Sequence, residues 1–492
     1  MKRLNLMRSV QLLVFILTVS IGCKSTGHGK HHKMAGTPAE NATAPAAEIF
    51  SGDAVISITT SKAVPLYKQI HSGCVIDIFF GKGMTGRDIL AEPYYSWIKA
   101  LNLNSLQYSG GSTSDHDHVI IGDTLIKGGK GDGYNIRRED VEARGGTMDG
   151  ILDGVGNVKF GVDFFNQYCA LLHRLNIRGD VIANVQSGTL PELYWKIQRA
   201  NAQRVIFGME QNISSNNYDF PDGNAYRKKI SVWIDSVKRK FPGIITVVDG
   251  APVYKQTSKF AAWNKQLEGI PGDEARLYIW DKDLFGSKES DAISLDQINQ
   301  AFAQTIPQWL NVFKSSFPGK KVSFCQWGIK SKNPMYNTML SCLYIAKFYE
   351  FMIGYNKANG NFIGYASFMP LKSLNRGDGG KGDADNIYKT LKACGMLFSG
   401  NQQVDDMTVS GGSGVTGIVC SENGKYTMML INETGNTVNF PAVKINGTAV
   451  SGKKFAISTV SAASLNSYEV EESTSSAGTI SLRPFSVNMI SF

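Results

Sequence analysis

Val205 to Asn212 reads VIFGMEQN: three apolar residues of strand type, then Gly208, Met209, a carboxylate at Glu210 and the amides Gln211 and Asn212. Val, Ile and Phe suit a buried strand, so the run delivers a charged group to the end of one. A buried carboxylate is costly unless it is paired or used, which makes Glu210 the first candidate for chemistry. A second run of similar design is Lys321 to Gly328, KVSFCQWG, a strand-like stretch that ends on the polar Gln326, then Trp327 and Gly328.

Outward from Glu210, strands and helices alternate. Before it stand a strand over Cys74–Gly81, a helix over Arg87–Leu101 with Ile89, Leu90, Tyr94, Trp97 and Ile98 at helical spacing, and a strand over Ser105–Tyr108. A helix over Phe160–Leu175, a strand over Asp180–Val185 and a helix over Pro191–Ala200 complete that side. After it come helix Tyr226–Phe241, strand Gly243–Val248, helix Lys255–Leu267, strand Arg276–Trp280 and helix Leu295–Phe313. The Gln326 strand, helix Asn337–Ile353, strand Asn361–Phe368 and helix Asp385–Met396 follow. Eight strand-then-helix units predict a (β/α)8 TIM barrel over residues 71–399, an α/β fold whose chemistry sits at the C-terminal strand ends. From residue 400 to 492 the pattern changes to short alternating strands with Gly/Asn turns, among them Asn423-Gly424, a tight hairpin signal. This predicts a C-terminal antiparallel β-sandwich. The strand-like AVISITT within residues 48–70 is expected to pair with it.

The two strand ends carry a resemblance. FGME and CQWG resemble motifs of the retaining clan A (β/α)8 glycoside hydrolases, particularly the arabinofuranosidase-like and heparanase-like families. There strand 4 ends in a Gly-Asn-Glu type motif with the acid/base, and strand 7 in Glu-Trp-Gly or similar with the nucleophile. Met209 replaces the usual Asn and Gln326 the usual Glu; Gln107 and Ser109 replace the Arg and Pro of the strand 2 turn. The ending LRPFSVNMISF resembles the last sandwich strand of the same families. The resemblance implies a surface glycoside hydrolase-like protein with Glu210 as general acid/base. Gln326 holds the nucleophile position, yet a neutral amide is no nucleophile.

A retaining glycosidase needs two carboxyls about 5 to 5.5 Å apart, an inverting one about 6.5 to 9.5 Å. Asp281 or Asp283, after the strand 6 Trp280, is the candidate base of an inverting mechanism, and Asp249 ends strand 5. Asn184, Gln186, Gln211, Trp280, Trp327 and Tyr365 are the candidate hydrogen-bonding and stacking walls. The loop 114–118, SDHDH, would lie at the mouth, with His116 and His118 as candidate sugar contacts. Its spacing does not specify a metal, and the loop 377–386, GDGGKGDADN, lacks the terminal Glu of a calcium loop; no metal or other cofactor is expected. The Gly-rich stretch from Val119 to Asn157 reads as a decorated loop shaping the cleft.

Lys2, Arg3 and Arg8 precede the apolar run Val10–Val19, the pattern of a secretory signal peptide over residues 1–22. Gly22 before Cys23 resembles a bacterial lipoprotein box, with Ser20 where Leu is usual, so Cys23 is the expected lipidation site. Residues 23–47 are small and polar, a tether between a membrane and the barrel. The formal charge of +9 falls to +6 once those three cations are removed, no nucleic-acid footprint. The other six cysteines lie in apolar runs without metal spacing and read as buried free thiols. Three function classes remain on the sequence: a membrane-anchored hydrolase of a polysaccharide or oligosaccharide, a noncatalytic glycan-binding relative, and a lipoprotein that uses the barrel as scaffold.

Overall fold

A computed structural model describes residues 54–75, 90–108, 114, 164–186, 188–212, 220–254, 258–285, 291–329, 333–369 and 385–492. Cys23, His116, His118 and the Val119–Asn157 stretch lie outside them. The barrel strands are β2 (Ser72–Cys74), β3 (Ser105–Tyr108), β4 (Arg178–Ala183), β5 (Arg204–Phe207), β6 (Ile245–Val248), β7 (Glu274–Arg276), β8 (Ile279–Trp280), β9 (Lys321–Gly328) and β10 (Ile363–Phe368). Each runs parallel to its neighbour, and β10 pairs with both β9 and β2, which closes the ring. β7 and β8 both pair with β9, so they are two halves of one stave. Eight parallel staves result, as the alternation predicts.

Helices cover the outside: α1 (Tyr94–Ala100), α2 (Phe164–Leu175), α3 (Leu190–Arg199), α4 (Gly223–Lys240), α5 (Ser258–Gln266), α6 (Asp281–Phe285), α7 (Leu295–Gln300), α8 (Ile306–Ser316), α9 (Met339–Ala358) and α10 (Asn386–Gly395). Side-chain caps start several of them. Thr189 accepts from the Glu192 amide, Asp222 from Ala225, and Ser294 forms a capping box with Gln297. The single helix expected over Leu295–Phe313 is divided by a π turn at Ala301–Thr305. Pro307, just inside α8, supplies the reason: its ring leaves no room for an i−4 carbonyl, and the helix widens ahead of it.

The lumen is layered. At its floor Arg204 bonds Asp180 at 3.3 Å and Glu274 at 3.2 Å, all three fully or almost fully buried, and Ser323 donates to Glu274. Above lies an apolar layer of Ile182, Ile206, Met209, Val247, Cys325 and Tyr365.

The C-terminal unit is built on strands β11 (Gln403–Ser410), β12 (Val415–Glu422), β13 (Lys425–Asn432), β14 (Val438–Phe440), β15 (Ala442–Ile445), β16 (Thr448–Ala449), β17 (Phe455–Ser461), β18 (Glu471–Ala477), β19 (Ile480–Leu482) and β20 (Ser486–Ser491). The N-terminal β1 (Val55–Pro65) enters this sheet between β15 and β11, antiparallel to β11 and parallel to β15. One face of the nine-stranded sheet buries Ile56, Ile58, Met428 and Leu430 under Val438, Phe440, Ile480 and Leu482 of the small β14–β19 sheet. The alternate residues Met429, Ile431, Val487 and Met489 join the barrel's own core. Period-two alternation with apolar residues at every position is what a sheet buried on both faces requires. The Asn423-Gly424 turn has φ of 52° and 75° and joins Glu422 directly to Lys425, the two-residue hairpin the dipeptide predicts.

Candidate functional site

The VIFGMEQN stretch leaves β5 through a tight turn. Gly208 takes φ 85°, and a side chain there would meet Gln211 Cγ and Val185 Cγ2 at 2.8 Å, so glycine is required. Glu210 itself sits at φ 59°, a left-handed backbone that non-glycine residues adopt at a cost. Three bonds pin the turn. The Gln211 side chain donates to Met209 O at 3.0 Å and accepts from Gln186 Nε2 at 2.9 Å, while its backbone N–H donates to Asp249 Oδ2 at 2.5 Å. Gln211 and Gln186 are thereby committed to bracing rather than to sugar contact. Met209 fills the top of the lumen, and Glu210 is left half-buried at the mouth.

Beneath Glu210 lies a fully buried ion pair, Arg276 with Asp249. Arg276 also donates to the Tyr278 hydroxyl at 2.5 Å, contacts Met209 Sδ, and lies over the Tyr278 ring at 4.1 Å. Burial, aided by the Glu210 charge, lifts the Asp249 carboxyl to about 6 against the pull of Arg276 and the Gln211 amide. Glu210 also raises the phenols of Tyr254 and Tyr278, after burial as the main cause. These shifts define the neighbourhood of the Glu210 carboxylate: a cation–anion pair below, two tyrosines beside. Tyr254 stacks on Trp309 with centroids 4.3 Å apart and hydrogen-bonds Asp283, whose charge also raises the phenol.

β9 meets the mouth through a bulge. Its register against β10 advances from Phe324 to Trp327 while β10 moves only from Ala366 to Phe368, one extra residue. Cys325 and Gln326 are therefore both turned to the lumen side and Trp327 away from it. Gln326 is 3% exposed, and its Nε2 has no hydrogen-bond partner among the described residues. Trp327 stacks on Phe348 of α9 at 4.3 Å and meets Phe368 edge-on. This corrects the expectation that Trp327 walls the cleft: the bulge turns it into the layer between barrel and helices. Tyr365 is corrected likewise, since it lies fully buried within the lumen, its ring against the Arg204 guanidinium at 4.1 Å. Asp281 is corrected as a base: it is fully buried and accepts from Asn333 at 2.9 Å, and its charge reaches Tyr344 of the outer helix.

Asn184 follows β4, 4% exposed, and accepts from the Gln186 amide. Trp280 ends the β7–β8 stave, 8% exposed, beside Gly328. Residues that sequence reading passed over are Arg276, Tyr254 and Tyr278. Arg276 had a signal, a charge set within the apolar run ARLYIW, which a buried strand tolerates only with a partner. Among the described residues, no group of three His, Cys, Asp or Glu side chains could hold a metal ion.

No protein-family model matches the chain, and no curated protein sequence does. Solved structures do match. The α-L-arabinofuranosidase of Thermotoga maritima, solved as an arabinose complex, superposes with a TM-score of 0.64 at 11% identity, over 89% of this chain and 99% of that one. The family 51 arabinofuranosidase of Thermotoga petrophila gives 0.63 at 12% identity, over 89% and 100%. A family 44 xyloglucanase of Paenibacillus polymyxa gives 0.56 at 10% identity, over 89% and 99%. The chain thus shares the fold of these structures, a (β/α)8 barrel with a C-terminal β-sandwich.

Proposed function

We propose that the protein is a glycoside hydrolase acting on a polysaccharide or oligosaccharide, with Glu210 as the general acid. The observation that carries this reading is Glu210 itself, held at φ 59° at the C-terminal end of the fourth barrel strand, above the Arg276–Asp249 pair. The likeness to arabinofuranosidases and a xyloglucanase supports the substrate class. Of the acids after strands 5 and 6, Asp249 is committed to Arg276 and Asp281 to Asn333, whereas Asp283 is half-buried and held by Tyr254. Asp283 is assigned as the base. Water attacks the anomeric carbon and gives its proton to Asp283; the glycosidic C–O bond breaks, and the leaving oxygen takes the proton of Glu210, with inversion.

A second reading, a glycan-binding relative without catalysis, is favoured by one observation, the neutral Gln326 at the end of β9. Release of reducing ends and binding are measured on a panel of plant, algal and host polysaccharides with wild type, Glu210→Gln, Asp283→Asn and Gln326→Glu. The hydrolase reading expects cleavage by wild type and a loss of about a hundredfold or more in the first two variants. Binding without cleavage, with cleavage gained in Gln326→Glu, establishes the second reading instead.

Export and attachment to a bacterial membrane through Cys23, on the periplasmic or cell-surface side, are proposed from the sequence alone. Incorporation of a labelled fatty acid into wild type but not Cys23→Ala is the expected result.

A further inference from the structure

We propose that Asp249 is a positioning residue for Glu210: by holding the peptide bond that follows Glu210, it fixes the direction in which that side chain leaves the backbone, and so where its carboxyl meets the leaving oxygen of a glycoside. The inference rests on the reading of Glu210 as general acid and deepens it.

The need for such a residue lies in the turn. Glu210 holds φ 59°, a backbone conformation that persists at a residue with a side chain only where the surroundings over-determine it. The direction of a side chain is set by the two peptide planes that flank it, and both are held here. The plane before Glu210 carries Met209 O, which accepts from Gln211 Nε2 at 3.0 Å; the plane after it carries the Gln211 N–H, which donates to Asp249 Oδ2 at 2.5 Å. The first bond closes within the loop. The second ties the loop's backbone to the next stave, and Asp249 supplies it.

Asp249 can do this because it is itself immobile. It ends β6, which pairs with β5 on one side and β7 on the other, and its carboxylate reaches past both, to the Gln211 amide and to Arg276. Its backbone is engaged in full. The N–H donates to the Tyr226 hydroxyl of α4 at 2.9 Å, that hydroxyl donates to Phe207 O of β5 at 2.6 Å, and the Asp249 carbonyl accepts from Trp263 Nε1 of α5 at 3.0 Å. Gly250 lets the chain pass close to β7, since a side chain there would meet Arg276 O and Phe317 Cζ at 2.9 Å. Gln211, Tyr226 and Asp249 are all fully buried, so bulk water offers these groups no other partner.

A residue present only to neutralise Arg276 would not need this arrangement. One carboxylate oxygen faces Arg276, and the other is spent on the backbone N–H whose peptide aims Glu210. A displacement of about 1 Å at a catalytic group is enough to cost about a hundredfold in rate.

The experiment compares variants of the full chain on an Arg276→Met background, so that no buried cation is stranded. Asp249→Asn keeps an oxygen for the Gln211 N–H; Asp249→Leu fills the same space without one, and Asp249→Ala takes its place if Asp249→Leu does not fold. Each is assayed on the glycan that wild type cleaves, whose departing sugar oxygen needs a proton, and on the dinitrophenyl glycoside of the released sugar, whose phenolate departs without one. Expected, from Asp249→Asn to Asp249→Leu, is a fall of about a hundredfold in kcat on the glycan with KM within about threefold, and a fall of about threefold or less on the dinitrophenyl glycoside. Hydrogen exchange at the Gln211 amide should be about tenfold faster in Asp249→Leu. Equal losses on the two substrates, equal glycan kcat in the two variants, or unchanged Gln211 exchange overturns the positioning role, and loss of glycan cleavage in Glu210→Gln then leaves the Glu210 reading in place. No glycan cleavage by wild type overturns both.

Discussion

Breaking the Arg276–Asp249 pair tests the foundation of the site most directly. Both side chains are fully buried, and Arg276 is further engaged by Tyr278 and Met209. At an effective dielectric of about 20, opposite charges about 4 Å apart attract by about 4 kcal/mol, and removing one member of a buried pair costs about 3 to 5 kcal/mol because the other charge is stranded. Arg276→Met is expected to lose about 4 kcal/mol in urea unfolding near neutral pH. Arg276→Met with Asp249→Asn is expected to recover most of it, so the coupling in the double-mutant cycle is at least about 2 kcal/mol. The pH dependence adds a sign. Asp249 titrates at about 6 folded against 3.8 unfolded, so the native state takes up the proton first and the contribution to stability grows as pH falls through that window. Against Asp249→Asn, wild type therefore gains about 3 kcal/mol between those values. In Arg276→Met the lowering influence of the cation is gone, the folded value rises further, and the deficit shrinks in mild acid. A single-variant loss below about 1 kcal/mol, or a deficit that widens on acidification, would refute the reasoning.

Three further outcomes follow from other parts of the fold. His71 is fully buried between Tyr349 and the Leu101 carbonyl, and burial lowers it from 6.5 to about 4. The unfolded chain takes that proton first, so about 3 kcal/mol of stability is lost as pH falls from 6.5 to about 4, a limb that His71→Gln should abolish in unfolding titrations. The six described cysteines are all buried and free, and burial pushes Cys342 up to about 11 and Cys325 to about 12; a thiol reagent should label none of them until denaturant is added. Gly208→Ala strains φ 85° and drives a methyl against Gln211 and Val185, so it should cost about 2 kcal/mol or more and reduce catalysis along with stability, whereas wild-type activity in a destabilised Gly208→Ala would dissociate the turn from function.

Local signals were legible in the sequence, and depth was not. Alternating periodicities predict the staves from the second to the eighth, whereas the first, expected over Cys74–Gly81, is seen at Ser72–Cys74 with 76–81 outside the described residues; Asn423-Gly424 predicts its hairpin because a tight turn is decided by the residues in it. Pro307 carried the signal for the π turn within a helix that periodicity alone extends. Tyr365 and Trp327 were misplaced for two different reasons. Tyr365 lies at the level of the Arg204 layer, and how far along a stave a residue sits depends on the tilt of the barrel, set by all strands together. Trp327 is turned outward by a bulge at Cys325–Gln326, where neither Gly nor Pro marks it. The charges Asp180, Arg204, Glu274 and Arg276 stood in view within apolar runs, yet which of them meet is fixed only by register across strands distant in sequence.

The same accounting bears on Gln326 and Asn212. Of the buried lumen charges, Arg204 has two carboxylates and a carbonyl, whereas Arg276 has a carboxylate and a phenol and, among the described residues, no hydrogen-bond partner at Nε. Among the described residues, Gln326 Nε2 and both ends of the Asn212 amide are buried without a hydrogen-bond partner, as are Gln107 Oε1, Trp327 Nε1 and the Tyr344 hydroxyl elsewhere in the barrel. Unsatisfied groups of this kind weaken the folded protein. A replacement that relieves the penalty, such as Asn212→Leu at similar size, should raise the melting temperature, and a lowered one would show that the amide is satisfied in solution.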